Sequence, residues 1–92
     1  MLGIAQKAGV VVSGEFATEK AVKEGTAFLV ILAEDASDNT KKKFNNTCEY
    51  YNCEIIYGWN KEVLGNAIGK RFRASLAICD ENFANAIKNK IV

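Results

Sequence analysis

Phe28-Leu29-Val30-Ile31-Leu32-Ala33-Glu34-Asp35 is the stretch whose reading decides the fold. Every residue from Phe28 to Ala33 is apolar, so no alternation separates a core face from a wet one. A run this short, rich in branched side chains and bounded by Gly25 and the Glu34-Asp35 pair, fits a strand buried on both sides. Such a strand needs helices above and below it, which makes an α/β sandwich the natural architecture. Open α/β sheets hold their ligands outside the carboxyl ends of strands. Function is therefore sought first at Ala33-Glu34-Asp35-Ala36-Ser37.

Outward from this strand the chain alternates helix and strand. Leu2 to Ala8 reads as a short helix stopped by Gly9, and Val10-Val11-Val12 as a short strand. Ser13 is expected to cap a second helix running to Glu24, with Ala17, Ala21 and Val22 inward and Gly25 ending it. Past the central strand, Ser37 or Asp38 caps a third helix closed by Asn52, whose Thr40, Phe44, Thr47, Cys48 and Tyr51 share one face. Glu54 to Tyr57 is a strand ended by Gly58. Asn60 caps a fourth helix with Val63, Leu64, Ala67 and Ile68 inward and Gly69 beyond its end. Lys70-Arg71-Phe72-Arg73-Ala74 is a charged loop and Ser75 to Cys79 a fourth strand. Asp80 caps a last helix that buries Phe83, Ala84, Ile87 and Ile91. The order αβαβαβαβα, without linker or repeat, predicts one domain over residues 1–92.

Composition narrows the function classes. The 92 residues are 49% hydrophobic and 25% charged, a globular balance that buries roughly 60–65% of the unfolded surface. No apolar run approaches the roughly 20 residues of a membrane span. The start lacks a basic segment and is interrupted by Gly3 and Gly9, unlike a signal peptide, so the cytoplasm is the expected location. Cys48, Cys53 and Cys79 form no C-x-x-C pair, and without histidine no zinc template is met. They read as reduced thiols packed as small hydrophobes, and no cofactor or metal is expected. Missing histidine also removes the commonest general base and the usual partner of a nucleophile, which counts against hydrolysis. Net charge is only +1, but it is uneven. Residues 1–38 carry three basic and six acidic groups, whereas residues 39–73 carry seven basic and three acidic. The second segment could attract an anion.

Four clusters invite chemistry. Ser13-Gly14-Glu15-Phe16 is a strand-to-helix turn whose exposed amides suit phosphate, though no Gly-Lys-Ser/Thr makes it a P-loop. Glu34 and Asp35 point to opposite sides of an extended chain and do not readily share a proton or a metal, so a structural role or a bond to a partner's donor is expected. Lys70-Arg71-Phe72-Arg73, with Tyr57 and Trp59 upstream, sets three cations around an aromatic. Arginines there reach phosphates and base edges, and phenylalanine stacks or wedges. Lys41-Lys42-Lys43 occupies a first helical turn, where each cation opposes the macrodipole at a cost of about a few tenths of a kcal/mol. With no stabilising reason for the run, a binding or solubility role is expected.

In this order the chain resembles the kink-turn-binding ribosomal proteins of the large subunit (the L-seven-Ae type) and their small bacterial relatives. The resemblance rests on Gly14 with Lys20-Ala21-Val22 and Gly25, then on Leu29 to Ser37 and Cys48-Glu49-Tyr50-Tyr51. It continues through Leu64-Gly65-Asn66-Ala67-Ile68-Gly69 and Ala74-Ser75-Leu76-Ala77-Ile78, and so spans nearly the whole chain. It implies a three-layer αβα sandwich with a mixed four-stranded sheet. It also implies RNA contacts at Gly14, Glu15, Lys20, Glu34, Lys70, Arg71, Phe72 and Arg73. Phe16 adjoins that set, and Lys41 and Lys42 are expected to add phosphate contacts. Where the family motif carries Asn-Glu for sheared G·A pairs, this chain has Phe16 and Ala17, which offer neither amide nor carboxylate.

The expected function is therefore non-catalytic binding of structured, kink-turn-like RNA by a monomeric protein of ribosomal type. Ribosomal RNA and the ribosome are the implied partners, and no membrane is involved. The alternative is a protein-interaction module that keeps the fold and has lost kink-turn recognition, with Phe16 and Ala17 leaving an apolar spot on the old face. An enzyme is disfavoured, because no nucleophile has an evident base.

Overall fold

The computed structural model describes residues 2–91, with side chains through residue 89. Its elements are α1 (Leu2–Lys7), β1 (Val11–Ser13), α2 (Glu15–Lys23), β2 (Leu29–Leu32), α3 (Asp38–Tyr50), β3 (Glu54–Tyr57), α4 (Lys61–Ala67), β4 (Ser75–Ile78) and α5 (Glu81–Ile91). The strands form one mixed sheet in the order β1-β4-β2-β3. β4 runs antiparallel to both β1 and β2, while β2 and β3 are parallel. Val30 lies opposite Ala77 on one side and Ile55 on the other.

β2 is buried at every position because each face has its own helical cover. Leu29, Ile31 and Ala33 pack with Leu76 and Ile78 against Leu2 and Ala5 of α1, Leu64 and Ile68 near α4, and Ala84 and Ile87 of α5. Val30 and Leu32 turn to the other side and meet Val22 of α2 with Phe44 and Cys48 of α3. Two faces used alternately produce a run with no polar position, as a three-layer sandwich requires. β4 is equally buried. Its Leu76 and Ile78 join the first core, so Ser75 and Ala77 face α2, where their small size lets the helix sit close.

Local details differ from expectation at several points. Phe28 precedes the strand and is half-exposed, because two-sided cover begins only at Leu29. The first strand is Val11–Ser13, although the Val10 carbonyl still accepts a bond from the Cys79 amide. Ser13 does not cap α2: Gly14 holds that position at φ 92°, and the Ser13 hydroxyl accepts from Arg73 instead. Ser37, Asn60 and Asp80 do cap, accepting from the amides of Thr40, Val63 and Phe83. Tyr51 and Val63 are exposed, because Phe44 and Cys48 complete the buried stripe of α3, and Leu64 and Gly65 fill the inner side of α4. Ile91 lies outside the described side chains. Among the described residues no helix is long and apolar enough to cross a membrane.

Gly65 lies hard against the loop that follows α4. A Cβ there would lie 1.3 Å from the Arg71 carbonyl oxygen, and the Gly65 carbonyl accepts the Lys70 amide at 2.8 Å. Only glycine lets the 70–74 loop lie directly on α4. Gly65→Ala is therefore expected to lower stability by about 1–3 kcal/mol, as overpacking does, and to speed amide exchange at Lys70. Urea unfolding with hydrogen exchange measures both; unchanged values would contradict the close fit.

Candidate nucleic-acid interface

The topology brings distant segments to one end of the sheet. β1, β2 and β3 finish there and β4 begins there. The start of α2, the 33–37 turn, the 58–60 turn and the 70–74 loop therefore lie side by side. Backbone hydrogen bonds stitch them together. Gly14 N–H donates to Ser75 O at 3.0 Å, Ala33 N–H to Ala74 O at 2.9 Å, Glu34 N–H to Trp59 O at 2.8 Å, and Arg73 N–H to Lys61 O at 3.0 Å. Asp35 spends a carboxylate oxygen on the Lys61 amide at 2.9 Å, which holds the start of α4. This is the structural role expected of it.

The expected site residues divide into two groups. Gly14, Glu34, Lys70, Arg71, Phe72 and Arg73 share this end. Lys70 and Arg71 are exposed and, among the described residues, make no ion pair with a carboxylate. Phe72 is 65% exposed. Arg73 is committed inward: its Nε donates to Ser13 Oγ at 3.1 Å and its Nη1 to the Phe72 carbonyl at 2.8 Å, so it braces the loop against β1. Gly14 carries no side chain to cap α2, which leaves the helix start without a side-chain acceptor.

The remaining expected residues fan out around α2. Phe16, 79% exposed, and Lys20 lie one helical turn apart and line a shallow groove with Val12, Ala17 and Cys79, beside edge strand β1. Glu15 turns the other way, towards α3. There it accepts from Lys43 Nζ at 3.3 Å and Thr40 Oγ1 at 3.4 Å. Lys43 also pairs with Glu19 at 3.3 Å. The lysine run thus has a stabilising reason that its sequence position hides, but only at Lys43. Lys41 and Lys42 make no such pair among the described residues.

Slight burial pushes the Glu19 carboxyl up, but hydrogen bonding and charge from Lys43, with help from Lys23, outweigh it and hold Glu19 below its ordinary value. Slight burial likewise pulls Lys43 down, and the carboxylates of Glu15 and Glu19 raise it above its ordinary value. Glu19 therefore contributes stability above its unfolded value, about pH 4, and loses it as pH falls through the lower folded value. Lys43 contributes fully below about pH 10 and loses its share as pH rises through the higher folded value. Lys43→Met should cost about 0.5 kcal/mol near pH 7 and nothing near pH 2. Urea unfolding at both pH values checks this, and an equal loss at both would show that the pairs with Glu15 and Glu19 are not its source.

Sequence reading missed three positions that shape this end: Ser13 as the acceptor for Arg73, Lys61 as the backbone anchor of the loop, and Gly65 beneath it. A glycine inside a helical pattern is the one available signal, marking close approach. Among the described residues no group of three or more histidines, cysteines or carboxylates could hold a metal ion.

Comparison with known proteins agrees with this architecture. The model of the Ribosomal protein L7Ae/L30e/S12e/Gadd45 family matches residues 1–88. The chain is 42% identical over 87 residues to RNA-binding protein YlxQ of Bacillus subtilis (strain 168), covering 95% of this chain and 87% of that protein. It is 33% identical over 91 residues to RNA-binding protein YlxQ of Enterococcus faecium, covering 99% and 87%. A solved structure of a protein with unknown function from Bacillus halodurans C superposes with a TM-score of 0.92 at 36% identity, over 96% of this chain and 89% of that one. With a family model matched over nearly its whole length, the chain belongs to the Ribosomal protein L7Ae/L30e/S12e/Gadd45 family.

Proposed function

We propose that this protein is a non-catalytic RNA-binding protein of ribosomal type, a cytoplasmic monomer that docks structured, kink-turn-like RNA on the loop end of its sheet. Ribosomal RNA, within or beside the ribosome, is its partner. The observation that carries this reading is the convergence, at one sheet end, of a helix start without a side-chain cap, a basic loop whose Lys70 and Arg71 make no ion pair among the described residues, and an exposed phenylalanine. Two relatives named as RNA-binding proteins support it.

The residues divide the work by chemistry. Lys70 and Arg71 neutralise phosphates, with Lys41, Lys42 and Lys20 on the flanks. The amides at the start of α2 receive a phosphate oxygen. Phe72 stacks on a base or wedges into a widened groove, and Glu34 accepts from a base amine. Arg73 and Glu15 act by holding the loop and α2 in place, given their internal bonds. Phe16 and Ala17 remove the edge-reading pair of the family motif, so binding rests on shape and charge with little preference for G·A pairs. Catalysis has no support in this arrangement. Asp35 is committed to a backbone amide, and the chain has no histidine to act as a base.

Filter binding of a kink-turn hairpin, and of the same hairpin with its G·A pairs replaced, tests the reading. Neutralising about four to six phosphates predicts a slope of roughly −3 to −5 for log affinity against log salt, nearly equal for both RNAs. Arg71→Ala should weaken both about equally and reduce the slope by about one. A flat salt response would remove this face as the binding surface. No binding by the folded protein would favour the interaction-module reading, for which the exposure of Phe16 speaks.

A further inference from the structure

We propose that Trp59 is a stacking platform for an unpaired base of the bound RNA. The inference rests on the RNA-binding reading above and adds to it a residue of the turn between β3 and α4.

The first observation is conformational. Trp59 has φ 59°, in the left-handed region where a bulky side chain is a steric outlier and glycine is the residue that fits without strain. The surroundings hold it there. Gly58 N–H donates to Leu32 O at 3.1 Å, the Trp59 carbonyl accepts Glu34 N–H at 2.8 Å, and the Asn60 side chain accepts from Val63 N–H at 2.8 Å. Bonds on both sides of the residue over-determine its backbone, and strain retained in that way marks function.

The second observation is the residue's place at the surface. Trp59 belongs to neither core cluster and the residue is 41% exposed, so core packing does not account for it. Its carbonyl is bonded to Glu34, and two residues later the Lys61 carbonyl takes the Arg73 amide at 3.0 Å. Trp59 therefore stands between the acidic end of β2 and the basic 70–74 loop. A phosphate at that position would be repelled by the Glu34 carboxylate, whereas a base amine would be accepted by it. An indole face stacks on any base, but only an unpaired one exposes its own face to it. Bulged or kinked RNA offers such a base and a continuous A-form duplex does not.

Trp59 is the only tryptophan in the chain, so its fluorescence reports on this contact alone. The probes are a hairpin with a three-nucleotide bulge and its fully paired counterpart. The bulged RNA is expected to quench the indole with the same midpoint as filter binding, and the paired RNA to leave it bright. Trp59→Gly should bind the bulged RNA about tenfold more weakly, in line with one lost base stack, while its thermal midpoint holds or rises because glycine accepts the backbone. Trp59→Phe should keep most of the affinity. If the bulged RNA binds without quenching, and Trp59→Gly binds it equally well, the platform is refuted and the RNA-binding reading stands. A fall in thermal stability of Trp59→Gly together with affinity would reduce Trp59 to a structural residue. If the natural protein binds neither RNA, both proposals fall; quenching by a protein partner instead would give the ring to that partner.

Discussion

β2 is hydrogen-bonded along both edges and covered on both faces, and the geometry of the rest depends on that double constraint. Its bonding does not stop with the strand: the amides of Ala33 and Glu34 bond to the carbonyls of Ala74 and Trp59. The same ladder that closes the core thus fixes the loops beyond it. Opening one of those bonds would leave a backbone group without its partner where loops crowd together, so core and surface resist distortion together. A recognition surface built on such loops is pre-organised, which lowers the ordering cost of binding.

Much of this was legible in the sequence because it rests on local rules. An unbroken apolar run signalled two-sided cover, and Ser37, Asn60 and Asp80 cap as their types predict. That Gly14, Glu34 and the 70–73 loop meet at one sheet end depends on β4 running antiparallel to its neighbours, which the family resemblance implied and simple helix–strand alternation does not. What was not legible is contact between residues far apart in the chain. Ser13 looked like a cap because nothing nearby revealed that Arg73, sixty positions on, would take its hydroxyl. Lys43 looked unpaired for the same reason, its partners lying on another helix. The turn at Trp59 shows a different limit, since no rule for residue types favours tryptophan in a left-handed conformation.

Near-neutral net charge does not conflict with a polyanionic partner once the pairs are assigned. Glu15 and Glu19 are engaged by Lys43, Glu19 also by Lys23, and Glu54 by Lys88. Lys70 and Arg71 have no such partner among the described residues. Short-range pairing on one flank therefore coexists with a locally positive end, and at physiological salt only charges within about 8 Å of a phosphate matter to it. Phe16 is compatible with the proposed binding by shape and charge, because it sets an exposed apolar side chain where the family motif carries a polar one.

Amide hydrogen exchange with and without a kink-turn hairpin RNA tests the central claim most directly, because it maps the bound surface residue by residue. The account predicts added protection at residues 13–17, 33–36, 58–61 and 70–74, the segments joined at one end of the sheet. Protection confined to residues 52–54 and 79–82, at the opposite end where Cys53 and Cys79 lie, would contradict it.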